Sequence, residues 1–225
     1  LIFKKKKLKI SFYKIDRYLN FDISNLQINQ NSLIIFVNYF GIKEISKKLK
    51  IIKKKYNPII IYDLVQAPQS FINFFLSNKN IDHKHIDYAF TSFKKSYAIP
   101  NGSCLYSNKP INIKKKTSLD EIDELWKNAV NEKQNYIFSK RIDIKIENKY
   151  ISLFNKVKKL NNNGFYSISK LSLAIFQKLN FSLDRRIRRK NYNLFVSILK
   201  DKQNLTIPKI KLDKEDTPLF LPILF

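Results

Sequence analysis

Leu33-Ile34-Ile35-Phe36-Val37, answered after an amphipathic segment by Ile59-Ile60-Ile61-Tyr62-Asp63, is the stretch that decides the fold. Each apolar run has strand length and no alternation, the pattern of a strand buried on both faces. Between them Ile42, Ile45, Leu49 and Ile52 recur at spacings of three and four. That spacing makes one apolar stripe on a helix, with lysines outward. Asn38-Tyr39-Phe40-Gly41 closes the first strand and Asn57-Pro58 breaks the helix. Strand, helix and strand in this order predict a βαβ unit with parallel strands. The expected class is α/β, a mostly parallel sheet with flanking helices.

Moving outward, Asp63-Leu64-Val65-Gln66-Ala67-Pro68 reads as a loop and Phe71–Leu76 as an apolar segment. The next strand is expected over Ile86–Phe93. A Pro100-Asn101-Gly102 turn follows, then a return strand from Ser103, antiparallel to its neighbour. Lys109–Lys116 is a basic linker. Ser118 and Glu121 have the spacing of a capping box that opens a helix carrying Leu119, Ile122, Leu125, Trp126 and Val130. More helix is expected to about Leu160. Asn161-Asn162-Asn163-Gly164 is the clearest internal boundary. Beyond it Ser169–Leu179 and Leu183–Leu199 read as helices, and Thr217–Phe225 as a strand of a second, smaller domain. Residues 1–30 are basic and irregular, with possible short strands at Leu8–Phe12. The start without Met and the stop within an apolar strand suggest a fragment with both ends missing.

Of 225 residues, 44% are hydrophobic and 14% aromatic, which calls for a packed core and not a disordered tail. The net charge of +25 points first to a polyanionic partner. Lysine carries almost all of it, since arginine is confined to Arg17, Arg141, Arg185, Arg186, Arg188 and Arg189. Lysine, Ile and Asn are inflated together while Ala and Gly are scarce, so A/T-rich codon drift is favoured over a selected basic surface. The cluster Arg185-Arg186-Ile187-Arg188-Arg189-Lys190 raises a nucleic-acid reading. It lies on an amphipathic helix without a helix-turn-helix or zinc module, and a basic run alone supports only non-specific phosphate binding. A solvated face or a dimer contact is the plainer reading.

Cys104 is the single cysteine, so no intramolecular disulfide forms, and a reducing compartment fits. Its place in a short apolar strand predicts a buried, inert thiol. His83 and His85 form an H-x-H pair with no further ligand cluster, and no metal site is assigned. No signal-peptide pattern follows the initial lysines, and no apolar run approaches the ~20 residues that cross a bilayer. A cytoplasmic location with no membrane partner is expected.

Chemistry concentrates at strand ends. Ligands of open parallel sheets bind beyond the carboxyl ends of the strands. Asp63 ends one strand there, and the pair Lys94-Lys95 follows another, beside Thr91 and Ser92. A lysine, a carboxylate and hydroxyls match what pyridoxal phosphate (PLP) requires: an amine for the aldehyde, an acid for the ring nitrogen, and donors for the phosphate.

Four segments in order resemble the DegT/StrS family of PLP-dependent sugar aminotransferases, of fold-type I. Asp63-Leu64-Val65-Gln66-Ala67 is similar to its D-x-A-Q-A segment. Ser92-Phe93-Lys94-Lys95 with Ile99-Pro100-Asn101-Gly102 resembles its lysine motif, S-[LF]-R-K…V-P-x-G-G. Arg188-Arg189-Lys190-Asn191-Tyr192 resembles the R-R-x-N-Y of its small-domain helix, and Thr217–Ile223 its P-L-x-x-P-[IV] strand. Val65 and Ser103 depart from that pattern, replacing an alanine and a glycine.

The resemblance implies a partial large PLP-binding α/β domain over 1–160. Over 161–225 it implies connecting helices and the start of a small α+β domain. In the family the Schiff-base lysine lies seven positions before the first glycine of the turn, which selects Lys95 over Lys94. Asp63 would pair with the pyridine nitrogen, Val65 would pack on the ring, Gln66 would sit near the ring hydroxyl, and Thr91 or Ser92 would bind phosphate. The family's Gly-rich phosphate turn has no match in residues 1–30. The implied activity transfers an amino group, commonly from glutamate, to a nucleotide-linked keto sugar, with a homodimer completing the site and Asn163 a candidate contact. Alternatives are a catalytically inactive or decaying homologue and a basic nucleic-acid-binding protein.

Overall fold

The computed structural model describes residues 8–42, 45–76, 83–114, 117, 119–139, 143–162, 166–202, 204–208, 210–214 and 216–223. The expected βαβ unit forms. β3 (Leu33–Val37) leads through helix α1 (Ser46–Tyr56) to β4 (Ile59–Asp63), and the strands pair in parallel, Leu33 with Ile59 through Val37 with Asp63. Asn57 ends α1 in the left-handed region, its N–H donating to the Lys53 carbonyl, a cap conformation that asparagine tolerates better than most residues. β5 (Tyr88–Ser92) adds in parallel to β4, and β6 (Ser103–Ser107) returns antiparallel to β5. The sheet order is β3-β4-β5-β6. The class is thus α/β with a mostly parallel sheet, and the expected antiparallel return strand is present.

The strands are not buried on both faces as their composition predicts. Ile34, Phe36, Ile60, Tyr62 and Ala89 lie on one covered face, under Leu49 and Ile52 of α1 and Phe71. On the other face Leu33 is 48%, Ile59 41% and Leu105 48% exposed. A run of Leu and Ile fixes strand length but cannot say which face is covered.

A second difference lies near the start. Leu8–Phe12 is not a strand; a short antiparallel ribbon instead pairs β1 (Lys14–Ile15) with β2 (Phe21–Asp22). Polar chemistry sets its turn, because Asp16 Oδ1 accepts from the Tyr18 and Asn20 N–H groups, both at 2.8 Å. The ribbon lays Tyr13 and Phe21 on Phe36, with ring centroids 5.4 and 4.8 Å away.

Helix α2 (Pro68–Phe71) continues into a π-helical turn, Ile72–Leu76. Helices α3 (Asp120–Phe138) and α4 (Ile144–Asn162) form a hairpin, followed by α5 (Lys170–Gln177) and α6 (Phe181–Leu199). Ser118, Asn163 and Gly164 lie outside the described residues, and with them the expected capping box, part of the boundary and the dimer contact. Asp123 ties the hairpin to α5 by accepting from the Leu171 N–H (3.0 Å). The expected strand over Thr217–Phe225 does not form in its described residues, 217–223, but the segment bonds to the loop after β3: Thr217 N–H donates to Gly41 O (2.9 Å) and Leu219 N–H to Phe40 O (2.7 Å). Gly41 has φ +69°, and a Cβ there would stand 2.2 Å from Thr217 O, so the close approach requires glycine.

The histidines and cysteine serve packing. His85 is buried, and His83 sits edge-on between Phe75 and Tyr106. Cys104 is half-buried on β6 against the core. Among the described residues no group of three or more His, Cys, Asp or Glu could hold a metal, and no helix is long and apolar enough to cross a membrane.

Candidate active site

The parallel strands put their carboxyl ends side by side. Asp63 is the last residue of β4 and pairs in register with Phe90 of β5. Two residues on, β5 ends at Ser92, and a 3-10 turn, Phe93–Lys95, begins. This turn is tightly made. Phe93 N–H donates to Gly102 O (3.0 Å), while Ser96 and Tyr97 N–H both donate to Phe93 O (3.0 and 2.9 Å). The buried Phe93 ring anchors it against Phe176, 4.6 Å between centroids. Gly102, at φ +142°, permits the sharp return into β6.

Lys94 and Lys95 are both exposed, whereas Asp63 is half-buried. Burial pushes the Asp63 carboxyl above the usual carboxylate range, opposed by the Val65 N–H and by the positive charge of Lys95. Lys95 thus lies close enough to Asp63 for its charge to act on the carboxyl. Val65 N–H donates to Asp63 Oδ1 at 2.9 Å, which leaves Oδ2 as an available acceptor.

The remaining predicted residues divide. Val65 and Gln66 form the turn after Asp63 and are half-buried. Gln66 Oε1 accepts from the Phe40 N–H (2.9 Å), holding the Asp63 loop against the loop after β3. Thr91 is buried and its hydroxyl donates to Leu64 O (2.8 Å), so it braces the same loop from below. Ser92 is half-buried, on the face of β5 that carries Phe90, the register partner of Asp63.

Sequence reasoning missed four neighbours of this site. Tyr13, beside the ribbon, is half-buried, and burial raises its phenol pKa, with the Asp63 charge adding to that. On the far side of the lysine turn, Gln69 Nε2 donates to Tyr97 Oη (2.7 Å) and to Asp184 Oδ2 (2.9 Å). Tyr97 Oη donates to Asp184 Oδ2 (3.2 Å), and Arg188 Nε to Asp184 Oδ1 (2.8 Å). Burial, then Asp184, holds the Tyr97 phenol protonated well above its ordinary range. The i,i+4 spacing of Asp184 and Arg188 was the one signal in the sequence. Gln69 and Tyr97 reach them only through the tertiary fold.

The basic cluster is less available than its charge suggests. Arg188 also donates to Ser96 O (3.3 Å), and Arg189 donates to Asp213 O (2.7 Å) and Asp216 O (2.8 Å). Two of its arginines thus have intramolecular work, which weakens the nucleic-acid reading drawn from charge density.

No family model matches the chain, and no curated protein matches it. Among solved structures it is similar to a DegT DnrJ EryC1 StrS aminotransferase from Brucella abortus, with a TM-score of 0.48 and 14% sequence identity. The match covers 92% of this chain and 50% of that one, so the chain spans about half the length of that structure.

Proposed function

We propose that this chain is the lysine-bearing part of a PLP-dependent aminotransferase, with Lys95 the amine that holds the cofactor and Asp63 the acid facing its ring nitrogen. One observation carries the reading: Asp63 and Lys95 follow the carboxyl ends of adjacent parallel strands, near enough for the lysine charge to act on the carboxyl. That is where open parallel sheets take ligands.

The residues fit the ring end of the group. Asp63 Oδ2 can accept from a protonated ring nitrogen while Oδ1 stays fixed by Val65. Lys95 is exposed and able to reach an aldehyde. At the phosphate end Ser92 is the better of the two candidate hydroxyls, because that of Thr91 is committed to Leu64 O. Gln66, held by Phe40, shapes the loop beside the ring.

When bound, PLP would supply the aldehyde and the electron-withdrawing ring that let an amino group pass from donor to acceptor. Asp63 would keep the ring nitrogen protonated. Lys95 would hold the group through Nζ and, once released, move a proton at that same atom. Glutamate as donor, a nucleotide-linked keto sugar as acceptor, a homodimer, and a division into a large domain over 1–160 and the start of a small one over 161–225 belong to the same proposal.

The test is direct. Protein incubated with PLP develops an absorbance band near the visible edge, and borohydride reduction followed by peptide mapping finds the pyridoxyl group on Lys95. Lys95→Ala loses both signals, and Lys94→Ala keeps them. Label on Lys94 alone overturns the assignment.

A further inference from the structure

We infer that the adjacent arginines Arg188 and Arg189 are positioning residues that set the two halves of the site, the Lys95 turn and the Asp63 loop, at a fixed distance from each other. The inference deepens the proposed function and rests on it only for the role given to Lys95.

The argument follows a closed circuit of contacts. Arg188 donates from Nη2 to Ser96 O, the carbonyl immediately after Lys95. Its Nε donates to Asp184, which also accepts from Tyr97 in the same turn and from the buried Gln69 of α2. One guanidinium thereby fixes the lysine turn to α6. The next residue reaches the other way: Arg189 donates to the carbonyls of Asp213 and Asp216. Asp216 is fully buried, and its carboxylate Oδ2 accepts from the Asp213 N–H (2.7 Å). Thr217 and Leu219 then pair with Gly41 and Phe40. Phe40 in turn donates to Gln66, in the loop that begins at Asp63. Lys95 turn, α6, the 213–219 segment, the 40–41 loop and the Asp63 loop thus form one ring.

Helix α6 is oriented for this work. It turns Arg188, Arg189 and Tyr192 toward the rest of the chain, while Leu183, Ile187, Leu194 and Ile198 stay exposed. Planar guanidinium forks are suited to bridging two acceptors at once, which a lysine ammonium does with less geometric control. Among the described residues neither arginine has a hydrogen bond to Lys95: Arg188 acts through the Ser96 carbonyl and the Asp184 carboxylate, and Arg189 through two backbone carbonyls.

Amide hydrogen exchange on the full chain, resolved by residue, decides the matter without cofactor. In Arg188→Ala the Ser96 and Tyr97 amides should exchange about tenfold faster, with Thr217 and Leu219 unchanged. In Arg189→Ala the pattern should invert: Thr217, Leu219 and Phe40 speed up, and Ser96 and Tyr97 do not. Arg188→Lys, which keeps charge and helix, should show the Arg188→Ala pattern in weaker form and serves if alanine impairs folding. Uniform acceleration at all these sites, or none, would mean that the arginines merely stabilise the fold, and overturns the inference. A PLP arm separates the two claims. If the unsubstituted protein takes the pyridoxyl label at Lys95, Arg188→Ala should reduce labelling several-fold, and equal labelling counts against positioning. If the unsubstituted protein takes none, the proposed function fails while the exchange pattern still decides the circuit.

Discussion

Two acid–base pairs flank the same turn and are built in opposite ways. Asp184 and Arg188 form a closed cluster. Both carboxylate oxygens are occupied, by Arg188 on one and by Gln69 and Tyr97 on the other, and the guanidinium has a second acceptor in Ser96 O. Asp63 and Lys95 form an open pair. Among the described residues the Asp63 carboxylate has a single hydrogen bond, to its own loop, and Lys95 acts on it only through space. A structural cluster saturates its donors and acceptors because each one left over costs desolvation. A site that must receive a ligand keeps an acceptor and an amine in reserve. The difference leaves the open pair, and not the closed one, with groups that a ligand could use, as the proposed function requires.

The comparison can be broken at either end. The largest effect is expected at the open pair: Lys95→Ala should abolish pyridoxyl incorporation, with little change in thermal stability because the side chain is exposed. Equal incorporation would make the open pair a surface accident. Gly41→Ala, behind the Asp63 loop, should cost about 3 kcal/mol in denaturant unfolding, since the new Cβ meets a backbone carbonyl and needs a positive φ. Asp184→Ala should cost about 2 kcal/mol, because Gln69, Tyr97 and Arg188 lose a shared acceptor together. Tyr97→Phe removes one hydroxyl from the same cluster and should cost about 1 kcal/mol.

The smallest effect has the opposite sign. Burial raises the Asp63 pKa in the folded chain, so the folded state binds that proton more tightly than the unfolded state. Stability therefore falls as pH rises from about 4 through the folded value, and the ionised acid is a net cost at neutral pH. Asp63→Asn should raise the Tm of the cofactor-free protein by about 1–2 °C at pH 7 and leave it unchanged near pH 3. A stabilising substitution at Asp63 beside a destabilising one at Asp184 would separate the two pairs by sign.

Much of this was legible in the sequence, for identifiable reasons. Unbroken apolar runs at 33–37 and 59–62, with a helical stripe between, can hardly form anything but a βαβ unit. The return into β6 was written in Pro100-Asn101-Gly102. Asp63 and Lys95 stood out because each follows such a strand. What stayed hidden depends on contacts between distant segments. The covered face of the sheet is chosen by the ribbon and α1, not by Leu33 or Ile59. The ribbon lies a few residues past Leu8–Phe12 because Asp16 and Asn20 bond the turn, a side-chain effect that hydrophobic patterning does not carry. Gln69, Tyr97 and Asp184 look like ordinary polar residues until α2, the lysine turn and α6 meet.

The pairing of Thr217 and Leu219 with the 40–41 loop also bears on how the chain is made. At synthesis rates of about 5–20 residues per second, that loop waits on the order of tens of seconds for partners emerging so much later. Contacts between such distant segments close slowly. For that interval the Phe40 and Gly41 carbonyls lie without these partners beside the edge strand β3, open to wrong pairing with other nascent chains. Ribosome-bound chains stopped before residue 217 should therefore engage holdase chaperones more strongly than chains extended past residue 219.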